Sequence, residues 1–179
     1  MDKKNRLAEI LKEKSILRGN FKLTSGKESD YYIDGRLTTL DATGLSLIGE
    51  IFLEEILKDP EVKTVGGPTM GADPIVGSVL TQAGIKNLKL DGFLVRKEAK
   101  QHGTGKLIEG NLKEGDKVAV VEDVVTTGGS VLKAIYSLEK AGAKISKVMV
   151  IVDREEGAEG KFRELGYEYF SIFKISDLL

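Results

Sequence analysis

The stretch Val118–Ser130 constrains the fold of this chain most, because a uniformly apolar run passes through a glycine-rich turn into a helical pattern. The apolar run ends at two neighbouring carboxylates, Glu122 and Asp123 (the acid pair). A strand without polar alternation is typical of a sheet that is covered on both faces. The stretch therefore predicts a buried parallel strand that is followed directly by a helix.

Short apolar runs alternate with amphipathic segments from residue 62 onward, and this alternation predicts an α/β fold with a central parallel sheet flanked by helices. Ligands bind at the carboxyl ends of the strands in such sheets. The predicted strands are Val62–Val65, Gly92–Val95, Val118–Val121, Val148–Val152 and Tyr169–Phe173, after two extended pieces at Phe21–Thr24 and Tyr31–Arg36. Helices are predicted around Leu7, Ile10, Leu11 and Leu17, after the N-cap Asp41 with a buried stripe of Leu45, Ile48, Phe52 and Ile56, and over Asp73–Ala83 (ended by Gly84), Ser130–Ala141 and Lys161–Leu165.

Length and composition narrow the class of protein. The 179 residues suit one domain, and no linker or internal repeat divides them. The net charge of −1 argues against a general nucleic-acid surface, which is normally basic. The chain has no cysteine, which excludes disulfides, thiolate zinc sites and a cysteine nucleophile. No apolar run has membrane-spanning length and the charged N-terminal segment lacks a signal-peptide core, so we expect a cytoplasmic protein.

The turn after the acid pair has the composition of a phosphate-binding loop. It contains Thr126, Thr127, Gly128, Gly129 and Ser130. The N–H groups and dipole of a helix start bind phosphate, and carboxylates accept hydrogen bonds from ribose hydroxyls. The alternative is an ordinary helix cap after an acidic strand end. No lysine follows the last glycine and the glycine spacing is not G-x-G-x-x-G, which excludes a Walker loop and a dinucleotide fingerprint. We therefore favour a sugar phosphate as the ligand.

A second glycine-rich segment, Gly66–Asp73, lies between a predicted strand and a predicted helix. Its glycines allow the backbone to approach an anion closely, and its N–H groups precede a helix start. The alternative is a tight strand-to-helix connection, with Asp73 as the N-cap and Pro74 at the first helical position. The segment is predicted to lie beside the turn Thr126–Ser130 (the phosphate turn) in a parallel sheet, and this position favours a site for a pyrophosphate-like group.

A third segment, Val95–Gly110, is rich in cations and glycine and almost free of apolar residues. Such a segment cannot bury itself and is expected to be mobile. Charge runs of this kind are usually solvated loops. A mobile cationic lid also suits a reaction with a polyanionic leaving group, because the lid neutralises charge and excludes water. The cations are Arg96, Lys97, Lys100, Lys106 and the single histidine, His102.

Residues Val120–Ser130 resemble the 5-phosphoribosyl pyrophosphate (PRPP) signature of the type I phosphoribosyltransferases. That signature is an apolar strand, two acidic residues and a short loop rich in Thr, Gly and Ser. The resemblance implies that the acid pair holds the ribose and that the loop holds its 5′-phosphate. The implied PRPP contacts are Met70, Gly71, Arg96, Lys97, Lys100, His102, Glu122, Asp123, Val124, Val125, Thr126, Thr127, Gly128, Gly129 and Ser130.

The narrower motif R-K-E-A-K-x-H-G, at residues 96–103, resembles the catalytic loop of the orotate phosphoribosyltransferases. In that family the loop reaches over the active site of a partner subunit, which implies a homodimer. The resemblance also implies Mg²⁺, held mainly through PRPP rather than by protein ligands. The implied catalytic residues are Arg96, Lys97, Lys100, His102 and Asp123.

Residues 21–36 resemble the N-terminal hood of the same family, with Ser25, Gly26, Ser29, Tyr31, Tyr32 and Ile33 at the pattern positions. Residues 1–36 would then form an N-terminal helix and hood, and residues 37–179 a PRPP-binding core. The implied orotate contacts are Tyr32, Ile33, Thr126 and Arg154. Thr24 and Gly71 stand where some members carry lysine, so Lys22 or Lys27 and other cations would replace those contacts.

The resemblance implies transfer of the 5-phosphoribosyl group from PRPP to orotate, giving orotidine 5′-monophosphate and pyrophosphate in pyrimidine synthesis. One alternative is a purine phosphoribosyltransferase, which shares the PRPP loop but would lack the hood and lid motifs. Another is a regulator that binds PRPP without catalysis. Such a regulator has no need of a cationic lid, and the near-neutral charge argues against nucleic-acid binding.

Overall fold

A computed structural model describes residues 2–22, 28–98 and 106–179. The helices are α1 (Lys3–Ile10), α2 (Arg36–Thr39), α3 (Ala42–Ile56), α4 (Ala72–Ile85), α5 (Gly129–Lys140) and α6 (Ala158–Glu164), with a π-helical turn at Leu11–Ser15 and a 3-10 turn at Ile175–Asp177. The strands are β1 (Ile16–Lys22), β2 (Glu28–Ile33), β3 (Val62–Pro68), β4 (Asp91–Val95), β5 (Ile108–Gly110), β6 (Lys117–Val125), β7 (Lys144–Asp153) and β8 (Glu168–Lys174). In these three ranges no helix has the length and apolar character needed to cross a bilayer.

The predicted parallel α/β sheet is confirmed. Its strand order is β5-β4-β3-β6-β7-β8. Every neighbouring pair is parallel except β4 and β5, which are antiparallel at one edge. The central strands are buried along most of their length, because separate apolar clusters pack on the two faces of the sheet. The carboxyl ends of β3, β4, β6 and β7 therefore meet along one rim.

Several strands run further than predicted, among them β1, β7 and β8, and the extensions of β6 and β3 change the site. β6 continues through the acid pair to Val125, since its pairing with β7 extends to the partners Val125 and Asp153. β3 continues through Gly66 and Gly67 to Pro68, paired with β4 as far as Val95. The predictions that the strands end before the acids and before Gly66 are wrong. Pairing with one neighbouring strand, β7 for β6 and β4 for β3, outweighs the poor strand propensity of acidic residues, Gly and Pro.

The helix predictions hold with corrections at the ends. Asp41 caps α3 as predicted, and its side chain accepts a hydrogen bond of 2.8 Å from the N–H of Gly44. Gly84 does not end α4, which runs on to Ile85. Asp73 is not its N-cap, because the helix already begins at Ala72. Leu17 lies on β1 and is partly exposed, so its predicted place in the N-terminal helix is wrong.

The N-terminal segment forms the β1–β2 hairpin and packs on the sheet. Leu7, Leu11 and Ile33 share an apolar core with residues of α3 and the central strands. The buried hydroxyl groups of Ser15 and Thr38 lie 2.6 Å apart and join the π-helical turn to α2. These contacts place the end of β2 beside the rim of the sheet. The hood positions Ser25 and Gly26, with Thr24 and Lys27, lie outside the described residues.

Candidate active site

A single cleft of about 1370 Å³ opens at the carboxyl ends of the central strands. The end of β2 forms one wall, and the connections after β3, β4, β6 and β7 form the others. Lys100 and His102 lie outside the described residues. Every other predicted site residue lines the cleft: Tyr32, Ile33, Met70, Gly71, Arg96, Lys97, Glu122, Asp123, Val124, Val125, Thr126, Thr127, Gly128, Gly129, Ser130 and Arg154.

The acid pair is held by hydrogen bonds to the adjacent backbone. Glu122 Oε1 accepts a bond of 3.1 Å from the N–H of Asp123, and Asp123 Oδ1 accepts one of 2.7 Å from the N–H of Val124. Glu122 is only 9% exposed. Burial raises the pKa of Glu122 well above its usual value, and the nearby charges of Asp123 and Asp73 raise it further. Glu122 therefore keeps its proton to a higher pH than an exposed glutamate does.

Two glycines bring the backbone against this acid pair. A Cβ built on Gly71 would overlap Glu122 Oε1 and lie 2.8 Å from Asp123 Oδ1. A Cβ built on Gly35 would lie 2.8 Å from Asp123 Oδ2. A lysine at position 71 would therefore displace both carboxylates. Gly35 lies two residues after the end of β2 and is not among the predicted site residues, although a glycine near a strand end can signal close backbone approach.

The phosphate turn has the geometry predicted for it. Gly128 has a φ of +77°, and a Cβ there would lie 2.8 Å from Cζ of Phe162, so both conformation and space require glycine. No side chain in the described parts of the chain caps α5. The N–H groups of its first turn therefore remain free to bind an anion at the positive end of the helix dipole.

The connection from β3 to α4 faces the acid pair. The N–H of Thr69 donates to the carbonyl of Val95 at 2.9 Å, which ties the connection to β4. Met70 is 70% exposed on the cleft side. Asp73 Oδ2 is buried and accepts no hydrogen bond from the described residues, and burial raises the pKa of this carboxyl group. The segment thus brings backbone, but no basic side chain, next to the carboxylates.

Arg154 follows β7 directly and is held beside the phosphate turn. Its N–H donates to the carbonyl of Val125 at 3.0 Å. Its guanidinium carbon lies 5.4 Å from the ring centroid of Tyr31, and Nε lies 3.2 Å from Glu156 Oε1. The arginine side chain is only 9% exposed. Tyr31 was predicted only as a hood position, and no local pattern indicates that its ring would contact an arginine 123 positions later.

Arg96 and Lys97 stand where β4 leaves the sheet. The N–H of Arg96 donates to the carbonyl of Leu107 at 2.9 Å, which holds the first position of the cationic segment. Lys97 is exposed at the cleft. Two cations therefore line the cleft at the end of β4.

The comparisons with known proteins agree with this arrangement. The family model described as "Phosphoribosyl transferase domain" matches residues 41–173. The orotate phosphoribosyltransferase of Methanocaldococcus jannaschii is 45% identical over 181 residues, covering 99% of this chain and 98% of the relative. That of Rhodopseudomonas palustris is 41% identical over 178 residues, covering 97% and 95%. This chain belongs to the orotate phosphoribosyltransferase family.

Solved structures agree with the family assignment. The Mycobacterium tuberculosis orotate phosphoribosyltransferase in complex with PRPP is 34% identical, with a TM-score of 0.82 and coverage of 99% of both chains. An adenine phosphoribosyltransferase from Leishmania donovani is 15% identical with a TM-score of 0.70, so it shares the fold alone. The sequence-based prediction of an orotate phosphoribosyltransferase is confirmed.

Proposed function

We propose that this protein transfers the 5-phosphoribosyl group of PRPP to orotate, giving orotidine 5′-monophosphate and pyrophosphate in the de novo synthesis of UMP. One observation carries the proposal: the uncapped start of α5, the acid pair and Arg154 all open onto one cleft. A sugar phosphate and a planar carboxylate need these three kinds of group side by side. The activity named for the relatives is the same.

The 5′-phosphate would bind at the phosphate turn, Thr126–Ser130. Its N–H groups and hydroxyls donate to phosphate oxygens, and the dipole of α5 favours the negative charge. The ribose would lie over the acid pair, where the carboxylate of Asp123 accepts hydrogen bonds from its hydroxyls. Holding both ends of the sugar fixes C1 relative to the attacking base, which lowers the entropic part of the barrier.

Orotate would bind between the hood and Arg154. The guanidinium group offers two parallel donors to the carboxylate, and the ring of Tyr31 restrains its plane. The hydroxyl of Thr126 would donate to the same carboxylate, and backbone groups near Tyr32 and Ile33 would contact the edge of the pyrimidine. N1 of orotate, ionised by loss of its proton to solvent, then attacks C1 of the ribose as the C1–O bond to pyrophosphate breaks, so no enzyme nucleophile is needed.

Pyrophosphate leaves as a polyanion and needs cations. Arg96 and Lys97 would contact it, together with Lys100 and His102. The backbone N–H groups around Gly71 would donate hydrogen bonds to its oxygens. Mg²⁺ usually keeps several waters and binds through substrate phosphates, so it would be held mainly through PRPP. The bound ion would neutralise negative charge on the leaving pyrophosphate. The lid cations would act across a homodimer.

The assignment is tested by measuring pyrophosphate release from PRPP with orotate, uracil, adenine and guanine in parallel. Orotate alone is expected to support turnover, because only orotate carries a carboxylate for Arg154. Arg154→Ala should raise the KM for orotate by ~10²-fold, since removing a charged hydrogen-bond partner typically costs 1.5–3 kcal/mol per bond. Equal turnover with uracil would refute the assigned role of Arg154, and turnover with adenine or guanine would refute the proposed function.

A further inference from the structure

The residue before Arg154 is a buried carboxylate that is held by two hydrogen bonds. Asp153 is 2% exposed and lies at the end of β7. Its Oδ1 accepts a bond of 2.8 Å from the N–H of Glu155, which has a φ of +59°. Its Oδ2 accepts a bond of 2.7 Å from the hydroxyl of Tyr169 on β8. The Asp153 carboxylate thus fixes the backbone on the far side of Arg154.

Tyr169 also supports the phosphate turn through its ring. The ring stacks on Phe162 of α6, with centroids 5.5 Å apart and planes inclined by 13°. Phe162 is fully buried, and its edge occupies the space that a Cβ at Gly128 would need. Tyr169 therefore holds the loop of Arg154 through its hydroxyl group and supports the phosphate turn through its ring.

The hydroxyl of Tyr169 is a permanent donor in this arrangement. Burial and the hydrogen bond to Asp153 raise the pKa of Tyr169 far above the ordinary value for a phenol. The hydroxyl therefore keeps its proton to a higher pH than an exposed tyrosine does. An Asp153 carboxylate without this donor would be buried with one oxygen unpaired, and buried unpaired polar groups drive local rearrangement.

We propose that Tyr169 is a positioning residue for orotate binding, because its hydroxyl group holds Asp153 and thereby the backbone and guanidinium group of Arg154. The inference depends on the proposed role of Arg154. Tyr169 itself touches no substrate, and it is absent from the residues that line the cleft. The effect of the hydroxyl group should therefore appear in the binding of orotate and not in the binding of PRPP, whereas the ring supports the phosphate turn.

The test compares two Tyr→Phe variants near the C-terminus of the chain. Tyr169→Phe keeps the ring and its stacking on Phe162 and removes only the hydroxyl. Tyr167→Phe is the matched control, because the hydroxyl of Tyr167 donates to Glu139 at 2.8 Å, away from the cleft. Tyr169→Phe should raise the KM for orotate by ~10-fold, the loss of one hydrogen bond to a charged group, and change the KM for PRPP by less than about twofold. Tyr167→Phe should change neither.

Thermal unfolding and Arg154→Ala separate the outcomes. An unchanged KM for orotate in Tyr169→Phe, with only a lower Tm, would mean that the bond is merely structural and would overturn the inference. An equal rise in both KM values would also overturn it. If Arg154→Ala leaves the KM for orotate unchanged, the assigned role of Arg154 fails, and the inference fails with it.

Discussion

Gly128 allows the phosphate turn to be tested by one methyl group. Alanine at a left-handed φ costs about 1–2 kcal/mol, and the φ of Gly128 is +77°. The new Cβ would also lie 2.8 Å from Cζ and 3.0 Å from Cε2 of Phe162. Overpacking of a filled core costs about 1–3 kcal/mol. Gly128→Ala should therefore lower the free energy of unfolding by roughly 2–5 kcal/mol.

The chain offers a control that isolates the steric part of this cost. Gly166 has a φ of +86°, and nothing lies within 4 Å of a Cβ built there. Gly166→Ala should lower the free energy of unfolding by only about 1–2 kcal/mol. Urea unfolding of the two variants gives the difference, and calorimetric titration with PRPP should show weaker binding for Gly128→Ala alone. Equal losses of stability would refute the packing of Phe162 against the turn, and undiminished PRPP affinity would refute the phosphate assignment.

Three further predictions concern the charged residues of the site. Asp123→Asn should weaken PRPP binding by ~10-fold, the value of about one charged hydrogen bond, and unchanged affinity by titration calorimetry would remove its assigned role. Lys100→Ala should lower kcat by ~10²-fold with little change in Tm. A mixture of the Lys100→Ala and Asp123→Asn proteins should regain activity after subunit exchange only if the lid acts across a dimer. Glu122→Gln should raise the Tm of the ligand-free protein more at pH 8 than at pH 5. The pKa of Glu122 is raised in the folded state, so that state holds a proton that the unfolded state releases above about pH 4.5, and stability falls as the pH rises above this value. An equal shift in Tm at both pH values would contradict a buried carboxylic acid at Glu122.

The sequence predicts the sheet well because its evidence is local. Continuous apolar runs such as Val118–Val121 are enough to indicate buried parallel strands, and the turn after them carries its own glycine and threonine signal. The short edge strand β5 is not predicted, because three residues are too few to show a periodicity. The extension of β6 through Glu122 is missed for another reason. It depends on pairing with β7, in which Glu122 faces Val150, 28 positions further along the chain, and no local sequence pattern indicates such a pairing.

The residues of the site also differ in whether local sequence patterns indicate them. The resemblance to a known family identifies many of the residues that line the cleft, because each of these lies in a short motif, but it misses others such as Gly35. It does not identify the residues that support them, such as Tyr31 beneath the guanidinium group of Arg154 and Tyr169 behind Asp153. Aromatic residues in strands are expected to pack, and their spacing is the same whether the ring covers a core or an arginine. Only tertiary contacts distinguish these roles.

The absence of a lysine at Gly71 follows from the way in which the hood and the β3–α4 connection meet. The backbone of Gly35 approaches Asp123 from the hood, and that of Gly71 approaches both carboxylates from the other side. A side chain at Gly71 would displace both carboxylates, and one at Gly35 would displace that of Asp123. If PRPP binds as proposed, this arrangement brings backbone close to the ribose without a cation for pyrophosphate, and the positive charge would come from the segment that begins at Arg96.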